Sequence, residues 1–489
     1  MRALTIVVLA ACLMITASPL PVNAEMARDG IVTMDEALTM AQNWVGLVMH
    51  REGNWGGSEE AEVLGIQEFK RGDRLIGYFC PVEPHGFIIV PMRKELGTVK
   101  AYSEFSDLNP ESEEGLADLI KLKMERVLGR VVELVGPIEL ISAEDLDRVL
   151  EINYRPAWQE LGVNEEVFQK RVDSGEMDSD YSGGEPPLLT SHWDQDSPYN
   201  DRCPVPGADD DCWEAHCAAG CGAIATAQVL RYWGYPPIHG WPQYEDMPDR
   251  ADVAGTTQQE RDTVAEFVHL VGLSIGQDYC SDGCETSSCI AGCPGDDMLD
   301  TFEDDFFFSD NADDDWRYND SAEEWFDKIK GQLNLNRPIP YHVEGHMIVC
   351  DGWKVEGFSR YYHMNYGWGD AHDAWYELDG LHLGDKWEEI MIKRLYPQDA
   401  LGNSISGWYD KSDYYVARYF DRDCHGSDAT FEAGHNLQFL PGIVLTCDGS
   451  PIEFRENTRL FSSSHPSRRE IKIISGKIRL YVNGGIKFH

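Results

Sequence analysis

The run Gly220-Cys221-Gly222-Ala223-Ile224-Ala225-Thr226-Ala227-Gln228-Val229-Leu230-Arg231-Tyr232-Trp233 decides how this chain is read. Past the two flexible glycines around the cysteine it is Ala-rich and helix-forming, until Gly234 and Pro236 stop it. Small residues at alternate positions let such a helix lie deep inside a domain. Cys221 then stands at its N-terminus, where backbone N–H groups and the helix dipole favour a thiolate. The alternative is a structural cystine, with Cys217 one helical turn upstream.

A thiol nucleophile needs a base. Gly345-His346-Met347-Ile348-Val349-Cys350-Asp351-Gly352-Trp353 is a buried-type strand that opens on a histidine, and Tyr361-Tyr362-His363-Met364-Asn365-Tyr366-Gly367-Trp368-Gly369 is a second strand. An antiparallel hairpin turning near Val355-Glu356-Gly357 sets His346 opposite Asn365. An imidazole beside a carboxamide that fixes its tautomer suits a thiol peptidase. For His346 alone the alternative is a hydrogen-bonded core histidine. Upstream, Trp193-Asp194-Gln195-Asp196-Ser197-Pro198-Tyr199-Asn200 brings Gln195 a short loop before the cysteine, where its carboxamide can donate to a developing oxyanion. By itself Gln195 reads as a surface residue.

Composition bounds the rest. The chain has 489 residues, with 41 Lys+Arg against 85 Asp+Glu, a net charge of −44 that makes nucleic acid and anionic membrane poor partners. Hydrophobic content of 42% is enough to bury sizeable cores. Arg2, the apolar run Leu4 to Ile15 and Val22-Asn23-Ala24 read as an export leader over residues 1–24. No later run is long and apolar enough to be a transmembrane segment. Leu9-Ala10-Ala11-Cys12 leaves lipid attachment as an alternative to cleavage. Export fits the cysteines: beyond Cys12 and a lone Cys80, eleven lie from Cys203 onward, a pattern of disulfides with one thiol left over. Cys280, Cys284, Cys289 and Cys293 read as a disulfide-stapled loop, with a zinc tetrathiolate as the alternative. Asp313-Asp314-Asp315 lacks the spaced ligands and glycine of a calcium loop.

Along the chain, residues 25–170 are mixed α+β. Met34–Met49, Glu113–Leu134 and Ser142–Ile152 read as helices, and Leu75–Cys80 and Gly86–Val90 as paired strands. The acidic, Gly/Ser/Pro-bearing stretch Val172–Pro187 reads as a linker and a protease target. Past Trp408, Leu437–Leu440, Ile471–Ile474, Lys477–Val482 and Ile486–Phe488 are short strands of a small all-β module, with Cys424–Cys447 as its candidate closing disulfide.

Taken together, Trp193–Asn200, the Gly220–Trp233 helix, Ser321-Ala322-Glu323-Glu324-Trp325, Asn336-Arg337-Pro338-Ile339, Gly345-His346 and His363–Gly369 resemble the streptopain-like cysteine peptidases of papain-like fold. The region Met34–Ser103, with Gly86–Val90 and Ala101-Tyr102-Ser103, is similar to that family's inhibitory prodomain. The resemblance implies an α+β fold, a two-lobed catalytic domain preceded by the prodomain. The expected division is leader 1–24, prodomain and linker 25–183, peptidase 184–397 and β-rich module 398–489. It also implies Cys221 as nucleophile, His346 as base, Asn365 orienting the imidazole, Gln195 donating to the oxyanion and Trp368 shielding the pair. No cofactor is implied; the partners are protein or peptide substrates and the chain's own prodomain. Tyr366 where the family has Trp, and Met347 where it has a small residue, leave subsite shape open. The expected protein is an exported, self-processing cysteine endopeptidase, with cell-surface association through the β module as a further option. The alternatives are an amidase or transpeptidase acting on cell-wall peptides, and a dead scaffold used for adhesion.

Overall fold

The computed structural model describes residues 30–397 apart from positions 139, 179–180, 185, 208–211, 235–243, 245–246, 289–297, 307, 344, 370–372 and 382–388, and also the backbone of nine short strands between 418 and 480. Helix α1 (Met34–Glu52) starts at Thr33, whose hydroxyl takes the Glu36 N–H while the Glu36 carboxylate takes the Thr33 N–H. Its buried stripe, including Met40, Trp44 and Leu47, packs on a sheet formed by β1 (Glu62–Val63), β2 (Gln67–Arg71), β3 (Arg74–Glu83), β4 (Phe87–Pro91) and β5 (Ala101–Ser103). Helix α2 (Gly115–Val135) follows with Leu116, Ile120, Met124 and Leu128 buried. Each such side chain stabilises the fold by about 1.5–3 kcal/mol.

Two local expectations need correction. The helix read over Ser142–Ile152 keeps its Ser142 cap but covers only Ala143–Leu146, because Leu150 leaves it to form a β-bridge with Leu381. The stretch read as linker is partly built into the sheet: β6 (Tyr181–Gly183) pairs with Lys354–Glu356.

Beyond it, α3 (Cys221–Trp233) packs on α4 (Gln258–Ser274) in a mainly helical core with Trp193, Phe267, Phe302 and Phe308. A hairpin of β7 (Asp278–Asp282) and β8 (Glu285–Ser287) comes next, then β9 (Asp313–Trp316) and α5 (Ala322–Leu333), which carries the capping box that Ser321 and Glu324 announce. The remaining strands are β10 (Ile339–Val343), β11 (His346–Glu356), β12 (Ser359–Asn365), β13 (Ala374–Glu377) and β14 (Glu389–Lys393). Acids of the Asp313–Asp315 run are held by cations: Asp313 by Arg394, and Asp315 by Lys328 and Lys393.

One twelve-stranded sheet joins β1–β5 to β9–β14. Its path runs β1-β3-β4-β5-β13-β12-β11-β10-β14-β9, with β2 on β3 and β6 on β11. The seam is β5 against β13, where Tyr102 faces Trp375 and Ala101 faces Tyr376. A second core lies across that seam, with α2 on one side and Tyr362, Tyr376 and Met391 on the other. Nothing in the sequence announced this continuity.

The nine C-terminal strands form three parallel ladders, each strand pairing with the one three further along: Arg418–Phe420 with Asn436–Phe439 and Arg459–Ser462, Cys424–Gly426 with Val444–Asp448 and Glu470–Ser475, and Thr430–Phe431 with Ile452–Phe454 and Ile478–Leu480. This is a coil of strands three layers deep. Cys424 faces Leu445 and Cys447 faces Gly426, so the two cysteines lie on neighbouring strands. Their side chains, and the strand read at Ile486–Phe488, lie outside the described residues.

Candidate active site

Cys221 is the first residue of α3. Gly220 before it has φ +84°, and a Cβ there would run into Gln277 and Thr286, so the turn that presents the cysteine is restricted to glycine. With no side-chain cap on this helix, its first N–H groups face the thiol, and the Met347 N–H reaches it from the opposite strand. Gln277, its amide turned to satisfy both partners, donates to Ala219 O (2.7 Å) and accepts from Ala223 N (3.2 Å).

Two disulfides fix the approach to the cysteine. Cys217 pairs with Cys280 and Cys212 with Cys284, fastening the segment before α3 to the β7–β8 hairpin. Ala218 N donates to Cys284 O (2.9 Å), and the Thr286 hydroxyl donates to Ala218 O (2.8 Å). Cys221 is therefore a free thiol, as are the buried Cys80, Cys203 and Cys350. The cystine with Cys217 is overturned, and so is the tetrathiolate, because two of its four cysteines are consumed in these bridges.

His346 opens β11. The chain enters it through a tight β10–β11 turn in which Gly345 has φ +74° and Val343 faces His346. Asn365 sits opposite Val349 rather than His346. The reason is local: the β11–β12 turn falls at Gly357-Phe358, later than expected, and a bulge between Cys350 and Gly352 shifts the register again. The ring's hydrogen bond comes instead from the backbone, with His346 Nε2 2.7 Å from Tyr366 O. Asn365 acts one step behind. Its Oδ1 accepts from Gly367 N (3.1 Å), the N–H of the same peptide that bears the Tyr366 carbonyl, and from Gln228 Nε2 (3.0 Å), while its Nδ2 donates to Ser191 O (2.8 Å).

Trp368 stacks on the imidazole with centroids 4.1 Å apart and planes 19° apart. Gln195 is tied to the segment just before Cys221 through its carbonyl, which accepts from Ala219 N (2.9 Å). Cys221, His346, Gln195 and Trp368 line one cleft of about 330 Å³, together with Asp194, Asp196, Glu285 and Thr286. Gly115, Asp118 and Leu119, from the first turns of α2, line the same cleft. Burial pushes the Cys221 thiol up, and Glu285 adds to the effect, while Met347 and helix N–H groups oppose it. Burial also lowers the His346 imidazole to about 4. Both shifts favour the neutral forms of the two groups.

Three contributors were not read from the sequence. Gln228 lies seven residues past Cys221 on the same helix face, and as a polar residue in an Ala-rich run it was a legible signal. The Tyr366 carbonyl carries no side-chain signature. The α2 residues belong to a different segment and gave none.

A free cysteine at a helix start, a buried histidine beside it and a cleft over both define a cysteine-type peptidase. Residues 193–242 and 239–376 match the Peptidase C10 family. Streptopain from Streptococcus pyogenes is 23% identical over 407 residues, covering 75% of this chain and 89% of that protein. A prointerpain A fragment from Prevotella intermedia superposes with a TM-score of 0.48 at 20% identity, covering 68% of this chain and 99% of that one. Active interpain A from the same organism gives 0.32 at 20% identity, covering 43% and 94%. Over residues 193–376 this chain is therefore similar to the streptopain-like C10 peptidases.

Proposed function

We propose that the protein is an exported cysteine endopeptidase made as a self-processing zymogen, with leader 1–24, prodomain and linker 25–183, peptidase 184–397 and a C-terminal β-rich module 398–489. In the open enzyme the Cys221 thiol gives its proton to His346 as the sulfur attacks a peptide carbonyl, and the carbonyl electron pair moves onto oxygen. Gln195 and the helix-start N–H groups donate to that oxyanion. His346 then gives its proton to the leaving amine as the C–N bond breaks, and activates water to release the acyl group from sulfur. Trp368 shields the imidazole from competing water. Asn365 orients the imidazole through the peptide that carries the Tyr366 carbonyl.

The observation that carries the zymogen reading is that the start of α2 lines the cleft that holds Cys221 and His346. A substrate backbone needs that space, so a pro-segment occupying it inhibits in cis. The β5–β13 seam holds the pro-segment in place, and its release after cleavage in the Val172–Pro187 stretch exposes the cleft. Cys221→Ala in the full chain is expected to abolish casein hydrolysis and to leave the segment before about Pro187 attached on a gel. Thiol-dependent cleavage of casein that survives in this variant refutes the reading.

A further inference from the structure

Behind the imidazole stand ionisable side chains that the chemistry above does not use. His192 Nδ1 lies 2.7 Å from Asp373 Oδ2, and His363 Nδ1 lies 2.7 Å from Asp351 Oδ1. The charges of Asp373 and His192 both act on His363, so the four form one neighbourhood. Asp373 is 6% exposed. Its other oxygen, Oδ1, accepts from Tyr366 N (3.2 Å), and the carbonyl of that same Tyr366 holds His346 Nε2. Tyr366 is thereby gripped at both ends: by Asp373 at its N–H, and by Asn365 through the peptide that follows.

Resting on the assignment of His346 as base, we propose that Asp373 is a positioning residue for it and that His192 holds Asp373 in place. A buried carboxylate with one oxygen on Tyr366 N and the other on an imidazole has little freedom to turn. The Tyr366 backbone is then fixed, and its carbonyl selects the tautomer in which His346 Nε2 carries the proton and Nδ1 is left for the thiol. His192 is itself anchored, its N–H donating to Asp249 O (2.9 Å). The neighbouring Thr190 hydroxyl and Arg231 both bond Asp249 Oδ1 (2.6 and 2.7 Å). The pro-segment grips the same residue, since the Ser103 and Ser106 hydroxyls donate to Asp373 O (2.8 and 3.2 Å). Asp373 is thus common to the machinery that aims the base and to the surface that receives the prodomain.

The test uses processed enzyme from full-length protein, with kcat normalised to titrated Cys221. Asp373→Ala is expected to lower kcat about 10–100-fold while KM stays within about twofold. The bell of kcat/KM against pH is expected to narrow on both limbs, because a loosened imidazole forms a poorer ion pair with the thiolate. Asp373→Asn keeps an acceptor for Tyr366 N and should recover part of the loss. His192→Gln should cost less than Asp373→Ala and add little to it in the double variant. Unchanged kcat and pH limbs, with the loss confined to thermal stability, overturn the proposal. If Asp373→Ala does not fold, wild-type kcat and pH limbs in both Asp373→Asn and His192→Gln do so. His346→Ala separates the two readings. An active His346→Ala enzyme overturns the base assignment, whereas an inactive one beside fully active Asp373 variants overturns only this inference.

Discussion

At the scale of single residues, the Cys221–His346 pair is set by desolvation. The thiol is pushed up and the imidazole is lowered to about 4, so the charged pair is disfavoured in this structure, where the first turns of α2 line the cleft. If the N-terminal segment inhibits in cis as proposed, its release rehydrates both groups and lets the ion pair form. Iodoacetamide should therefore alkylate Cys221 at pH 6–7 at least about tenfold more slowly in the full-length chain than in processed enzyme, since each unit of thiol pKa is a tenfold change in thiolate. Rate constants from peptide mass spectrometry check this, and equal rates in the two forms refute it. Cys203 and Cys350, also raised by burial, should stay unmodified in the folded protein.

At the scale of elements, the β5–β13 seam carries an unusual load of buried charge. Glu377 at the end of β13 accepts from Thr98 N (3.1 Å) and the Thr98 hydroxyl (3.2 Å), while Lys100 donates to the Glu377 carbonyl (3.0 Å) and pairs with Asp379. Burial raises the Glu377 carboxyl to about 7, only partly offset by Lys100. The folded chain keeps this proton to higher pH than the unfolded chain does. Its contribution is therefore complete below about pH 4.5 and is lost as pH rises through about 7. In full-length protein carrying Cys221→Ala to prevent processing, Glu377→Gln should remove that loss. Its melting temperature, relative to the parent, should then rise progressively from pH 5 to pH 8. A difference that does not change with pH refutes the assignment.

At the scale of the whole molecule, two covalent bridges among the described residues and one shared sheet hold the parts in place. The bridges span 72 and 63 residues, and a loop of that size stabilises the native state by about 4 kcal/mol in the chain-entropy model. The two loops overlap, so removing both costs less than twice that. The pair Cys212→Ser/Cys284→Ser is expected to lower the urea midpoint of the processed enzyme and to raise KM more than it lowers kcat, because the β7–β8 wall of the cleft loosens while Cys221 and His346 keep their supports. An unchanged KM refutes the wall's role.

Much of this architecture was legible in the chain. Local chemistry dictated the helix that starts at Cys221, the strand that opens on His346 and the paired strands Leu75–Cys80 and Gly86–Val90, because periodicity and turn residues act over a few positions. The same short-range reading singled out Gln195, and the family resemblance implied Trp368; both line the cleft with the pair. It failed where long-range packing decides. The register that takes Asn365 away from His346, the Cys217–Cys280 and Cys212–Cys284 pairings, the β5–β13 seam and the Asp373–Tyr366–His346 chain all join segments far apart in sequence. The sequence by itself determined which residues could do the chemistry, since residue type and local propensity are written in it. Only the tertiary structure decided which atoms hold the His346 ring and which distant segments line the cleft beside Cys221. Hydrogen bonds to backbone carbonyls and contacts with a distant helix are properties of the packed chain.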